Sequence, residues 1–393
     1  MGPSNATTNR WRAFFLLISQ YTFTLFLMSE ALQKTITLIL LIVLGLILRG
    51  KFKSKDQLNG IKEIILSVAL PATIFIALMK IQVDSTLFFI PLAALAFNFF
   101  MYYASPVAFG FFGVDKDSST GRTLVMLLPS LAPGLSAFPF IAEFLGEEGL
   151  AKAAMADVGN KFFVLIFLYI IAMNMFLKNS VNEEANLSQK IKDLLLSLVK
   201  EPINILLVLA ITLLSLGVSY KTLPSVVSDL FDKTSAMMTP LVLIFIGLAV
   251  QLKEGRKRLV MSMLTFRAGI TLLFSAALIA LFNLSDPTMV LLAVVVPLSS
   301  ASFWPFAHIS VFNLREEAKG MSKERRTFDV ELAVLILAFS LPMSTILILG
   351  ILSTGTLFTH LSTIVTAGVV LTALGTVPNL VAKAMFKAAP SEA

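Results

Sequence analysis

Long apolar runs, each near the length that crosses a bilayer, alternate with short polar loops along almost the whole chain. A hydrocarbon core about 30 Å thick takes roughly 20 mostly apolar residues as one helix. Runs of that kind predict spans near residues 31–49, 61–80, 86–112, 123–143, 151–177, 203–219, 235–251, 259–283, 288–312 and 327–351. Two more flank these ten: residues 356–386, and residues 11–28 after Arg10 and Arg12, open to reading as an extra helix or a signal-like segment.

Two of the ten runs are interrupted in the same way. "LLPSLAPGLSAFPF" from Leu127 and "VVPLSSASFWPF" from Val295 each place a proline after bulky aliphatics, pass through small and hydroxylated residues, and close on an aromatic-Pro-Phe triplet. Proline removes a backbone donor and clashes with the preceding turn. In hydrocarbon, freed N–H and C=O groups cost several kcal/mol each unless protein or water satisfies them. A single segment of this kind reads most simply as a kinked helix. Two at matching positions predict discontinuous helices that frame a site near mid-membrane.

The positions do match. "PATIFIAL" from Pro71 resembles "PLVLIFIGL" from Pro240, the broken segments pair Pro129 with Pro297, and "ADVGNKFFVLIFL" from Ala156 resembles "FDVELAVLILAF" from Phe328. The displacement stays between about 166 and 172 residues, and the pairs are collinear. Five spans per repeat is an odd number, so the second copy enters the membrane with opposite orientation. The predicted organisation is an N-terminal segment 1–30, a first repeat 31–177, a linker 178–202, a second, inverted repeat 203–351, and a C-terminal helix and tail 352–393.

Composition fits this pattern and narrows the function. Of 393 residues 57% are hydrophobic and 14% charged, with mean hydropathy +0.87, which leaves no room for a sizeable soluble domain. The chain is therefore predicted to be an all-α polytopic membrane protein. The net charge of +7 would suggest nucleic acid in a soluble protein, but the basic residues lie in short loops. Alternate loops, around Lys53, Lys190, Arg256 and Arg325, carry the Lys and Arg excess, which predicts that they are cytoplasmic. There is no cysteine, no phosphate-binding glycine loop and no His-Glu-x-x-His motif, so a built-in ATP motor and metal-hydrolase chemistry are excluded.

The segments "GLILRGKFKSKDQLNGIKEIILSVALPATIF", "FPFIAEFLGEEGLAKAAMADVGN" and "TPLVLIFIGLAV" resemble the auxin efflux carrier family in its bacterial permease branch, over about residues 31 to 351. The resemblance implies ten spans in two inverted five-helix repeats, a scaffold side and a transport side. It also implies a carboxylate anion held where the fourth and ninth spans cross at their prolines, here Pro129 or Pro133 and Pro297. One departure is the stretch before Phe138, which has prolines and serines where many relatives place an Asn-containing, Gly-rich sequence. The same architecture is similar to that of bile-acid/sodium symporters and sodium/proton antiporters.

Candidate substrate-binding residues are therefore Pro129, Pro133, Gly134, Ser136, Pro297, Ser299, Ser300 and Ser302. Candidate coupling residues are Asp157, Asn160, Lys161 and His308. Asp157, Asn160 and Lys161 share one helix face at i, i+3 and i+4 and read either as an internal ion pair or as a functional group. His308 reads as a proton relay or as a hydrogen-bonded bundle residue. Arg267 reads as a snorkelling side chain or a fixed charge for an anion, and Asp329 as a helix cap. The expected function is secondary active transport of a small organic carboxylate, with Na⁺ or H⁺ as coupling ion and no other cofactor. A cation-coupled exchanger or sodium symporter, and a non-transporting regulatory module, stay open beside it. The expected partners are the organic anion and the lipid bilayer, with a homodimer open and nucleic acid excluded. The expected location is a bacterial inner (plasma) membrane, and no enzymatic activity is expected.

Single cysteines placed at positions 53, 190, 256 and 325 of this cysteine-free chain should all react with an impermeant reagent from one side of the membrane only. Reaction split between the two sides would contradict the inverted-repeat count.

Overall fold

The fold is that of a computed structural model, which describes residues 30–52, 54–80, 86–179, 202–249 and 256–388, with single positions 192, 196 and 200. The predicted segment 11–28, Lys53, Lys190 and nearly all of the predicted linker lie outside the described residues. Among the described residues every regular element is helical. Among the same residues seven helices are long and apolar enough to cross a membrane, and 33–48 and 202–215 are shorter apolar helices. The protein is a polytopic all-α membrane protein.

The helices follow the apolar runs closely. They are α1 Glu30–Leu48, α2 Lys55–Ile64, α3 Leu70–Lys80, α4 Thr86–Ala108, α5 Ser119–Leu127, α6 Pro133–Ser136, α7 Phe138–Phe162 and α8 Leu168–Asn179. After these come α9 Pro202–Ser215, α10 Ser225–Ala236, α11 Met238–Ala249, α12 Lys257–Leu281, α13 Pro287–Val295, α14 Phe303–Ala318, α15 Val330–Ser353 and α16 Leu361–Ala388. Seven long helices stand where ten to twelve spans were expected because several spans are interrupted. The fourth is divided among α5, α6 and the start of α7, and the ninth between α13 and α14. The 42-residue stretch 138–179 is turned at Gly146 (φ 69°, ψ −168°), between the predicted spans 123–143 and 151–177.

Local chemistry explains several starts. Ser54 caps α2 in a reciprocal box with Gln57, while Ser118, Asp286, Ser302 and Asp329 each accept a backbone N–H of the helix that follows. Between α2 and α3 the chain widens into a π turn, Ile65–Ala69, just ahead of Pro71. Pro71 has no N–H to give and its ring pushes against the preceding turn, so a wider turn relieves both problems. A second π turn, Phe163–Phe167, joins α7 to α8.

The helices pack as two groups. In one, α1 lies on α11, and α3 lies on α9 and α10. In the other, α4 lies on α7, α14 on α8 and α15, and α12 on α15 and α16. These groups cut across the sequence halves: each half contributes its first two spans to one group and its last three to the other. Contacts of α3 and α11 with α7 join the groups.

Close crossings are made by glycine. A Cβ on Gly45 would meet the Ile244 carbonyl at 2.2 Å, one on Gly247 the Ile42 carbonyl at 2.1 Å, and one on Gly159 the Pro91 carbonyl at 2.0 Å. In lipid, where apolar faces gain little by leaving their surroundings, close backbone approach supplies the dispersion contact that binds helices together.

The charged loops sort to opposite ends. At one end Arg256 pairs with Asp329, Arg122 Nε donates to the Thr327 carbonyl (2.7 Å), and Asn179 donates to the Arg325 carbonyl (3.0 Å). At the other, Lys80 pairs with Glu147 at 2.7 Å and lies over the Tyr220 ring, and Lys34 donates to the Glu143 carbonyl (3.3 Å). The loops around Arg256 and Arg325, expected on one side, share the first end.

Gly247→Leu should lower the thermal melting point of the detergent-solubilised protein through about 2 kcal/mol or more of overpacking. Gly50→Ala, whose Cβ would meet nothing within 4 Å, should leave it unchanged.

Candidate functional site

The two broken segments meet. The amide of Ala132 donates to the Ser300 carbonyl at 2.8 Å, so the unwound strands are hydrogen-bonded to each other between α5/α6 and α13/α14. Serine hydroxyls supply further partners. Ser136 Oγ accepts from the Ser300 amide (2.9 Å), Ser130 Oγ from the Ser302 amide (3.0 Å), and Ser340 Oγ of α15 from the Ala301 amide (3.2 Å).

Two polar side chains clasp the rest. Asn160 on α7 accepts from the Leu131 amide (3.1 Å) and donates to the Leu131 carbonyl (2.9 Å), standing in for a partner strand. Asn98 on α4 donates to the Pro129 carbonyl (2.7 Å) and to Asn160 Oδ1 (3.2 Å). Arg267, 3% exposed on α12, donates to the carbonyls of Leu128 (2.7 Å), Ser130 (3.0 Å) and Ser299 (2.9 Å), reaching both segments at once. The two roles open to Arg267 in the sequence are thus replaced by a third. It neither snorkels nor faces a cavity; it caps the carbonyl ends that the breaks leave bare.

Beside the crossing lies a cavity of about 300 Å³. Pro133, Gly134, Ser300 and Ser302 line it, with Asp157, Asn160 and Lys161 on α7 and Lys62 on α2. Phe303 and Trp304, at the start of α14, close one side, and Lys62 Nζ stands 4.5 Å from the centre of the Phe303 ring. Both π turns reach it, through Leu66 and Val164. Asp157 is buried, accepts from Asn160 Nδ2 at 2.9 Å, and has Lys161 Nζ 3.5 Å from its other oxygen. Among the described residues the ionisable lining is therefore two ammonium groups and one carboxylate.

The remaining predicted residues lie off this cavity. Pro129 and Ser299 present their carbonyls to Asn98 and Arg267, and Ser136 is consumed by Ala132 and Ser300. Pro297 lines a separate apolar cavity. His308 is buried on α14, donates to the Val164 carbonyl at 3.0 Å, and packs edge-on to Tyr169. That bond takes up a carbonyl in the second π turn, so His308 stands behind the cavity wall at Val164 and does not line the cavity itself. Asp329 caps α15 through the Leu332 amide (3.0 Å). Among the described residues no group of three acidic or histidine side chains is placed to hold a metal ion.

Lys62 and Asn98 were not legible as site residues. Lys62 sits in a basic loop-to-helix stretch that reads as topology signal, and Asn98 is a single amide in "AALAFNFFMYY". A lone amide amid that much apolar sequence is the one available signal for Asn98.

Arg267→Met should leave three buried carbonyls without their donor and destabilise the protein by about 3 kcal/mol or more. Arg267→Lys, which keeps the charge but loses the fork, should recover only part of the loss, as read by thermal melts in detergent.

No protein-family model matches the chain. The chain is 25% identical over 225 residues, 55% of its own length and 69% of the other's, to a protein of Methanocaldococcus jannaschii described as an uncharacterized transporter. That similarity, together with the series of apolar helices, points to a multi-pass integral membrane protein of transporter type.

Proposed function

We propose that this protein is a secondary transporter of a small organic carboxylate, which it binds in the cavity beside the crossed segments and releases to either side by alternating access. The observation that carries this reading is the charge of that cavity: Lys62 and Lys161 against Asp157 leave a net positive wall in surroundings of low dielectric. The start of α14, with Ser302 as its cap, adds the positive end of a helix dipole to the same wall.

The packing in two groups supports two inverted five-span repeats. A rigid group of α1 to α3 and α9 to α11 would serve as scaffold, and the group that carries both broken segments would move against it. In this reading the resemblance to auxin efflux carriers extends to the position of the site. Phe245, Phe303 and Trp304 would face an apolar body attached to the carboxylate. In this reading Asp157 couples the cycle to H⁺ or Na⁺, its pairing with Lys161 at 3.5 Å being exchanged for a proton or cation when the anion claims the lysine.

Proteoliposome uptake of a panel of radiolabelled monocarboxylates tests this. Lys62→Gln and Lys161→Met should each weaken apparent affinity about ten- to a hundredfold, the worth of one charge-assisted hydrogen bond. Asp157→Asn should abolish gradient-driven accumulation while passive exchange of the anion survives. Proton-for-sodium exchange with no organic solute transported would overturn the carboxylate reading in favour of a cation exchanger on Asp157.

A further inference from the structure

A second opening lies on the opposite wall of the crossing. Between α4 and α12 runs a groove of about 900 Å³ whose sides are Phe89, Leu92, Ala96, Ala277, Leu281 and Phe282. It continues into an inner recess of about 100 Å³, and the two share Ile90, Ala93, Phe274, Leu278, Leu284 and Met289. Among the described residues the groove has no polar side chain on its wall. The recess has one, Lys152, whose ammonium is bonded to Glu148. Phe97 and Phe274, ring centres 5.4 Å apart, close the inner end together with Leu131.

Three features define the occupant. The wall offers nothing for water to hydrogen-bond, and an empty space of this size forfeits dispersion contacts along its whole lining. The flanking helices are both long and apolar enough to cross a membrane, and Phe89, Leu92, Leu281 and Phe282, 58 to 79% exposed, face outward, where the lipid of a bilayer would meet them. The recess also ends on the broken segments themselves, at Leu131, Val296 and Pro297. Leu131 is the shared wall: it lines both this recess and the charged cavity, and its peptide is the one clasped by Asn160.

We propose that the groove binds one acyl chain of a membrane phospholipid, whose tip lies in the recess against Leu131 and Pro297. The bound chain holds the back of the crossing in place while the front faces the charged cavity. Bilayer lipid is then a structural component of the site, through Leu131. This inference stands on the groove alone and does not depend on what the charged cavity carries.

Phosphatidylcholine with a diazirine in one acyl chain, mixed into phosphatidylcholine vesicles holding the full-length protein, tests it by photolabelling and peptide mapping. Labels should concentrate on 89–97 and 274–289 and be competed by unlabelled phosphatidylcholine. Ala93→Trp, which fills the junction of groove and recess, should cut that labelling about tenfold, as expected when a rigid ring takes space that another group needs. Ala277→Trp, at the exposed rim where folding tolerates bulk, should do the same. Labelling at Val365 and Val369, exposed on α16, should be unchanged in both variants. Equal, uncompeted labelling of the groove and α16 in every variant would reduce the lipid to annular contact and overturn the proposal. So would cross-links from the groove to a second copy of the chain, or groove labelling that appears only after residues 1–29 are deleted.

Discussion

Everything at the centre of this protein follows from the cost of an unpaired peptide group in hydrocarbon. Pro129, Pro133 and Pro297 break two helices deep inside an apolar bundle, where a freed N–H or C=O is costly unless it finds a partner. The partners come in three kinds: the other broken strand, through Ala132 and Ser300; serine hydroxyls at 130, 136 and 340; and the side chains of Asn98, Asn160 and Arg267. The crossing is thus a polar island inside the bundle, with its backbone groups turned onto one another and onto these side chains.

Neither break is satisfied by its own half of the chain alone. Arg267, in the second half of the chain, bonds carbonyls at 128 and 130 in the first, and Ser130 and Ser136 in the first accept amides of the second. The two segments therefore hold their geometry as one unit. Moving one relative to the other would strand several buried groups together, so the crossing is expected to move as a body with the helices that carry it. Packing agrees, since α4, α5 to α8 and α12 to α15 form one group around it. The C-terminal helix α16 belongs to the same group. Gly269 on α12 faces Thr372 of α16 so closely that a Cβ would lie 2.4 Å from its amide, which ties the helix bearing Arg267 to the end of the chain.

Charge is arranged economically around that unit. Arg267, the strongest cation near the breaks, spends all its reach on backbone carbonyls and is invisible to solute. The ammonium groups that face the cavity come instead from Lys62 and Lys161, on α2 and α7, and Asp157 is held by Asn160 and Lys161 from its own helix. One asparagine thus connects the backbone break, through Leu131, to the buried carboxylate, through Asp157 Oδ1. Asp157 thus stands one side chain away from the crossing.

The sequence by itself determined the solvent, the helices and the two breaks. Apolar runs of spanning length leave a bilayer as the only medium, and prolines at matching displacement mark where backbone must unwind, because both are properties of local composition. It also placed Asp157, Asn160 and Lys161 on one face, since helical spacing is local. Which of the polar residues would serve the breaks and which would face open space was decided by tertiary structure. Arg267 and Asn98 find their carbonyls 139 and 31 residues away along the chain, His308 finds Val164 across 144, and Lys62 reaches the cavity only because α2 packs beside the crossing. A periodic pattern records which face of a helix is apolar, but not which other helix that face will meet, and the identity of each buried polar partner depends on that meeting.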